Sequence, residues 1–186
     1  MITGEVSIEQ VIARRRARVM TRAGYRSLLF RVVYIGLIAY ILLTYCFLIT
    51  QCQGQGMYPA LKDGDLCVVF RRQTQELFRE KLAQDDIVAY QVKGKRYFGR
   101  IVAAAGDVVI MDDGGSLSVN GVTEGGEILF PTYATNDLEY PYLVPEGCVF
   151  VMGDHRTSTT DSRVLGPIPL SDVEGKLITI LRRREI

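Results

Sequence analysis

The hydrophobic and polar positions divide the chain into two unlike parts. Val32 to Thr50 is a run of 19 residues without a charge. At about 1.5 Å of rise per residue such a helix is just long enough for the hydrocarbon core of a bilayer, which takes roughly 20 residues. Beyond it the apolar positions come in short runs, the length of strands. Asp65–Phe70 is a short apolar run after a Gly-Asp turn. Asp86–Val92 and Arg96–Ala104 are separated by Lys93-Gly94-Lys95, a hairpin signal. Val108–Met111 and Leu117–Asn120 flank Asp112-Asp113-Gly114-Gly115, a second one. Val149–Met152 and Ile178–Leu181 are further strand runs. Residues 73–84 read as a helical or loop excursion, and residues 121–147, rich in Gly, Pro and Tyr, as a long surface excursion. With no long amphipathic helix after the apolar run, the pattern predicts a mainly β, antiparallel domain, partly closed on itself like a barrel.

Charge orients the apolar run. Residues 1–31 carry seven arginines against Glu5 and Glu9, a net of +5, while residues 32–186 carry 15 basic and 19 acidic side chains, a net of −4. The arginines flank only the N-terminal side. This predicts a basic cytoplasmic arm (1–31), one transmembrane helix (32–50) and an extracytoplasmic domain (51–186) in the cell membrane. The arm, Ser7–Arg31, reads as a basic amphipathic helix that touches anionic membrane lipid or a cytoplasmic partner. The run exceeds the usual apolar core of a signal peptide, and no small-x-small site follows it. A lipoprotein box ending at Cys52 would want a small residue where Gln51 stands. A net charge of +1 over the whole chain gives no field for nucleic acid.

Cys46 falls in the apolar run, which leaves Cys52, Cys67 and Cys148 outside it and at most one pair among them. With one histidine, His155, and no close pair of cysteines, no metal site and no cofactor are expected.

Four motifs stand in order after the apolar run: Met57-x-Pro59-x-Leu61 with Gly64-Asp65; Arg100 with Gly106-Asp107; Val119-Asn120-Gly121; and Gly153-Asp154-His155-Arg156 with Asp161-Ser162-Arg163 and Gly166-Pro167. In these the chain resembles type I signal peptidases, the membrane-anchored serine endopeptidases that cut signal peptides from exported proteins. The resemblance implies a serine nucleophile, a neutral lysine that takes its proton, and a backbone N–H with a nearby hydroxyl that holds the oxyanion. Carried over by position, the nucleophile falls on Gly56, the general base on Gly99, and the oxyanion hydroxyl on Gly54. The hydroxyl that orients the lysine falls on Thr159. There is no serine at all between Ser27 and Ser116. His155 stands for the usual asparagine and Ala105 for the usual proline. The resemblance thus implies a non-catalytic member. Losing single reacting groups of such a unit costs on the order of 10⁴–10⁶ in rate.

Three displaced chemistries remain to be weighed. Lys95 lies four residues before Gly99, about 13 Å along a strand, and cannot reach it. Cys52 as a thiolate, or Ser158 or Ser162 with His155 as base, would make the chain an active signal peptidase with relocated residues. Arg100, Asp154, Asp161 and Arg163 read as structural ion pairs around the old site. What survives is a peptide-binding cleft expected at Gly54, Gly56, Met57, Tyr58, Pro59, Phe98, Gly99, Ile101, Ala103 and Thr159. It is apolar and suited to strand addition, and glycines at 54, 56 and 99 are expected to widen it. Met57 and Tyr58 either pack or enter the outer leaflet. Similar proteins without the serine and lysine occur in Gram-positive pilus gene clusters. The resemblance therefore implies a secreted polypeptide, a pilin, and a sortase as partners, in a chaperone-like role in secretion or pilus assembly.

Overall fold

The computed structural model describes residues 8–9, 12–14, 22–77, 81–112, 114–125, 130–135, 138–157 and 160–182. They group into two units, one up to Thr44 and a compact one from Tyr45 onward. Helix α1 spans Arg22–Cys46, all but its last two residues in the first unit. Its segment Gly24–Cys46 is long and apolar enough to cross a membrane. Most of the basic arm lies outside the described residues. The apolar run does not stay helical to Thr50: Phe47–Gln51 is strand β1, because its aromatic and β-branched residues pair with β2 instead.

The second unit holds β1, β2 (Leu66–Arg71), a short helix α2 (Arg72–Leu77), β3 (Ile87–Val92), β4 (Lys95–Ala104), β5 (Val108–Met111) and β6 (Leu117–Val119). It continues with β7 (Val122–Thr123), β8 (Tyr142–Leu143), β9 (Cys148–Met152), α3 (Ser162–Leu165), β10 (Ile168–Pro169), a 3₁₀ turn (Leu170–Asp172) and β11 (Val173–Leu181). They form an antiparallel seven-stranded sheet, β1-β2-β11-β3-β4-β9-β10, and a four-stranded one, β7-β6-β5-β8.

Turn chemistry follows the sequence signal at Lys93-Gly94, and a turn of the same kind forms at Asn120-Gly121. Lys93 (φ 50°) and Gly94 (φ 78°) close β3–β4, and Asn120 (φ 52°) and Gly121 (φ 79°) close β6–β7, both with the paired positive φ of two-residue hairpins. The Asn120 side-chain oxygen accepts from the Val108 N–H, and its amide donates to Asp107.

Strand alternation sorts the core into three clusters. Val88, Tyr90, Ile101, Val149, Val151, Ile168 and Val173 fill one face of the large sheet. Cys52, Met57, Leu61 and Cys67 pack with Ile87, Phe98, Leu177 and Ile180 on the other. A bulge between Ile101 and Ala103 shifts the register of β4, so that Val102 and Ala103 both join Phe150, Val109, Leu117 and Val144 in the third.

The 121–147 stretch is more than a surface excursion. Thr132 and Val144 are buried, and β8 pairs with β5.

Candidate functional site

The loop from Cys52 to Asp65 carries the first motif and is built by its own acids. The Asp63 carboxylate accepts from the Gly54 N–H at 2.7 Å. Asp65 accepts from the Lys62 N–H at 2.9 Å and from Arg182 at 2.7 Å. The Arg182 hydrogen bonds hold its carboxyl below the usual range, against the opposing effect of burial. Met57 and Leu61 anchor the loop to the sheet, while Tyr58 stays 42% exposed.

The last motif sits against this loop. The His155 N–H donates to the Gly56 carbonyl at 3.0 Å, and Nδ1 lies 3.3 Å from the Gln55 carbonyl oxygen. Its ring packs on Phe130, with centroids 4.1 Å apart. Gln55, Tyr58, Lys62, Asp63, Phe130 and His155 line a cleft of about 440 Å³.

Three ion pairs brace the walls. Arg100 grips Asp154 with both ends of its fork, at 2.9 and 2.7 Å, and donates to the Asp85 carbonyl. The Asp154 bonds raise the guanidinium pKa further, against the effect of burial. Asp161 and Arg163 are both buried. Asp161 accepts from Arg163 at 2.8 and 2.9 Å, from the Arg163 N–H as the cap of α3, and from the Gly153 N–H. The third pair was not legible in sequence: Arg156 is buried against Glu124 and Thr132, which ties those two residues to the last motif. The Arg156–Glu124 spacing of 32 residues carries no local signal.

Gly99 is the telling position. It lies in β4 with Tyr97 and Ile101 as neighbours on the same face. A Cβ placed there would meet Val151 Cγ1 at 2.4 Å, and the Met152 carbonyl oxygen and Tyr90 Cε1 at 3.3 Å each. The expected widening at this glycine is therefore absent, because a valine methyl and a tyrosine ring occupy the space. Burial, with Asp161 and Tyr97 nearby, pushes the Tyr90 hydroxyl well above its ordinary range, so it stays protonated. At Gly54 a Cβ would meet nothing within 4 Å, but φ is +83°.

The other expected cleft residues are placed unevenly. Gly54, Tyr58 and Pro59 are exposed, and Gly56 and Phe98 are half-buried. Met57, Ile101 and Ala103 are core. β4 is hydrogen-bonded to β3 along residues 95–100, and to β9 only from Arg100 onward. Strand addition along the whole of Phe98–Ala103 is thus blocked, since β9 already occupies that edge. The edge of β4 from Lys95 to Gly99 lies beyond the end of β9. Arg96 on this stretch reaches Thr50 on the edge strand β1 at 2.8 Å and pairs with Glu174. Thr159 and Ser158 lie outside the described residues.

The displaced nucleophiles are badly placed. Burial, then Asp65 and Asp63, pushes the Cys52 thiol up to about 11. Ser162 is fully buried, and its hydroxyl accepts the Val151 N–H at 2.9 Å. No group of three or more His, Cys, Asp or Glu able to hold a metal ion occurs among the described residues.

Comparison with known proteins gives the family. The family model described as "Signal peptidase, peptidase S26" matches residues 25–181. Signal peptidase I of Bacillus licheniformis is 32% identical over 138 residues, 66% of this chain and 70% of that protein. Thylakoidal processing peptidase 1 of Arabidopsis thaliana is 31% identical over 134 residues, and the match spans 38% of its length and 66% of this chain. A crystal structure of a signal peptidase I from Enterococcus faecalis aligns with a TM-score of 0.45 at 30% identity, covering 53% of this chain and 97% of that one. The chain, with an apolar helix long enough to cross a membrane and an antiparallel β domain, belongs to the signal peptidase S26 family.

Proposed function

We propose that this chain is a non-catalytic member of the family, which binds an extended segment of a secreted polypeptide beside the membrane without cutting it. The observation that carries this reading is the filled space at Gly99. A lysine there would have to displace Val151, which is fully buried in β9. The position expected for the nucleophile, Gly56, offers no hydroxyl, and its carbonyl is engaged by His155. Cys52, with its thiol pushed up to about 11, has only about one molecule in 10⁴ ionised at neutral pH.

Binding needs only backbone. The unpaired edge of β4 at Lys95–Gly99 and the edge strand β1 offer N–H and C=O groups to an added strand. The Gln55–Tyr58 cleft, with Phe130 and His155, offers an aromatic wall nearby in the same unit. With the arginine-flanked end of α1 in the cytoplasm, the β domain lies outside, where it meets exported chains. A pilin is the proposed secreted polypeptide and a sortase the proposed neighbour, in an accessory, chaperone-like role in pilus assembly.

The test uses the purified full chain in proteoliposomes. It is expected to leave a pre-protein intact while retaining a fluorescent peptide taken from the region after the signal sequence. Cleavage that disappears in Cys52→Ala or Ser162→Ala would establish the competing reading, an active peptidase with displaced residues.

A further inference from the structure

A second site lies at the ends of three adjacent strands, away from the Gly56 loop. The end of β2 with the start of α2 (Arg71, Arg72, Gln73), the end of β3 (Gln91, Lys93, Gly94) and the start of β11 (Ser171 to Glu174) enclose a cup of about 620 Å³. That volume suits a small organic group rather than a single ion.

The cup is polar and net positive. Arg71, Arg72 and Lys93 contribute three cations to its wall. Of its two acids, Glu174 is committed to Arg96, and Asp172 accepts from the Ser171 hydroxyl at 3.0 Å. The lining thus sets three cations against two anions, one of which is already paired with Arg96 from outside the cup. Arg71 uses its Nε–H on the Phe47 carbonyl at 3.3 Å, which fixes the fork while leaving its terminal amino groups to point elsewhere. Arg72 donates to the Leu170 carbonyl, tying the 3₁₀ turn to α2. Lys93 is held at the first position of the tight β3–β4 turn, with φ 50°, and is exposed.

Depth is set by covalent connection. Phe47 is the residue after Cys46, the last of the apolar helix, with no linker between them. The Arg71 guanidinium, bonded to Phe47, is therefore held next to the residue where the span ends. Phe47 and Phe70 pair there with ring centroids 5.5 Å apart, and aromatic side chains are common at that level of a bilayer.

We propose that this cup binds the anionic phosphodiester headgroup of a membrane lipid. Arg71 and Lys93 contact the phosphate, and the Gln73 and Gln91 amides and Asp172 meet headgroup hydroxyls. The site ties the β domain to anionic lipid. It reads phosphate in the same way whichever side of the membrane the domain occupies.

The test is native mass spectrometry of the full chain in detergent, with dioctanoyl-phosphatidylglycerol, dioctanoyl-phosphatidylcholine and inorganic phosphate as separate arms. Phosphatidylglycerol is expected to bind one per chain and to outcompete both others. Each basic residue contributes about fivefold at a charged lipid surface. Arg71→Gln and Lys93→Asn should therefore each weaken binding about fivefold, and both together about 25-fold. Asparagine keeps the positive φ at position 93, so loss in that variant with an unchanged melting temperature reports the charge rather than the fold. Lys81→Gln, on an exposed residue outside the cup, should leave binding unchanged. Equal retention of the two lipids, or of phosphatidylglycerol by the double variant, would overturn the site. Inorganic phosphate displacing phosphatidylglycerol at equal concentration would overturn the lipid source.

Discussion

Adding one methyl group at Gly99 tests the packing that underlies the proposed loss of chemistry. In Gly99→Ala the new Cβ sits 2.4 Å from Val151 Cγ1, inside any normal contact, and 3.3 Å from Met152 O and Tyr90 Cε1. The backbone at Gly99 is not left-handed, so alanine in a strand interior would by itself gain about 0.5–1 kcal/mol. Against this, overpacking a filled core costs about 1–3 kcal/mol. Val151 and Tyr90 are both fully buried, with little room to yield. The balance is a loss of about 1–2 kcal/mol. For a chain of this length each kcal/mol moves the melting temperature by about 2–4 °C, so Gly99→Ala should melt roughly 2–8 °C lower by circular dichroism in detergent. Val151→Ala alone loses about 2 kcal/mol of burial. Together the two should lose less than their sum by about 1–3 kcal/mol, because the new methyl enters the space the valine vacates. By the same logic Gly56→Ser with Gly99→Lys should not cut a pre-protein. A Gly99→Ala variant as stable as the parent, with no coupling to Val151→Ala, would refute the reasoning.

Three further outcomes follow from the described contacts. Burial and nearby acids push Cys52 and Cys67 each from 9.0 to about 11. Between those values the unfolded chain has shed protons the native one keeps, so their contribution is whole below pH 9 and is lost as pH rises toward 11. Thermal melts should drop between pH 8 and pH 10.5, and drop less in Cys52→Ala/Cys67→Ala. Asp161→Ala strands the buried Arg163 guanidinium and removes the cap of α3. It should cost about 3–5 kcal/mol, read by urea unfolding, and a loss under 1 kcal/mol would contradict the pairing. Glu124→Gln weakens the tie from Arg156, so limited proteolysis should cut within residues 121–135 several times faster, while equal rates would show the stretch is held by other contacts.

Much of the architecture was legible because it is local. Lys93-Gly94-Lys95 and the Asp112–Gly115 run announce hairpins, and β3 pairs with β4 and β5 with β6 on either side of them. The uncharged run announced a long apolar helix, but not that its last residues would leave it. Phe47–Gln51 found a partner in β2, and pairing outweighed helical continuity. The motifs named Arg100, Asp154, Asp161 and Arg163 as ion-pairing residues, and the fold decides that Arg100 joins Asp154 and Arg163 joins Asp161. Arg156–Glu124 and Arg96–Thr50 were not, since each joins residues far apart in sequence that meet only once the sheets form.

By itself the sequence determined that positions 56 and 99 carry no hydroxyl and no amine, because a glycine is a glycine in any fold. Only the tertiary structure decided whether the vacated room remained. At Gly99 it did not: Val151, 52 residues away, pairs with Ile101 across β4–β9 and places its methyl where a side chain would start. Side-chain chemistry is a property of one residue, but empty space is a property of every neighbour that close packing brings to it.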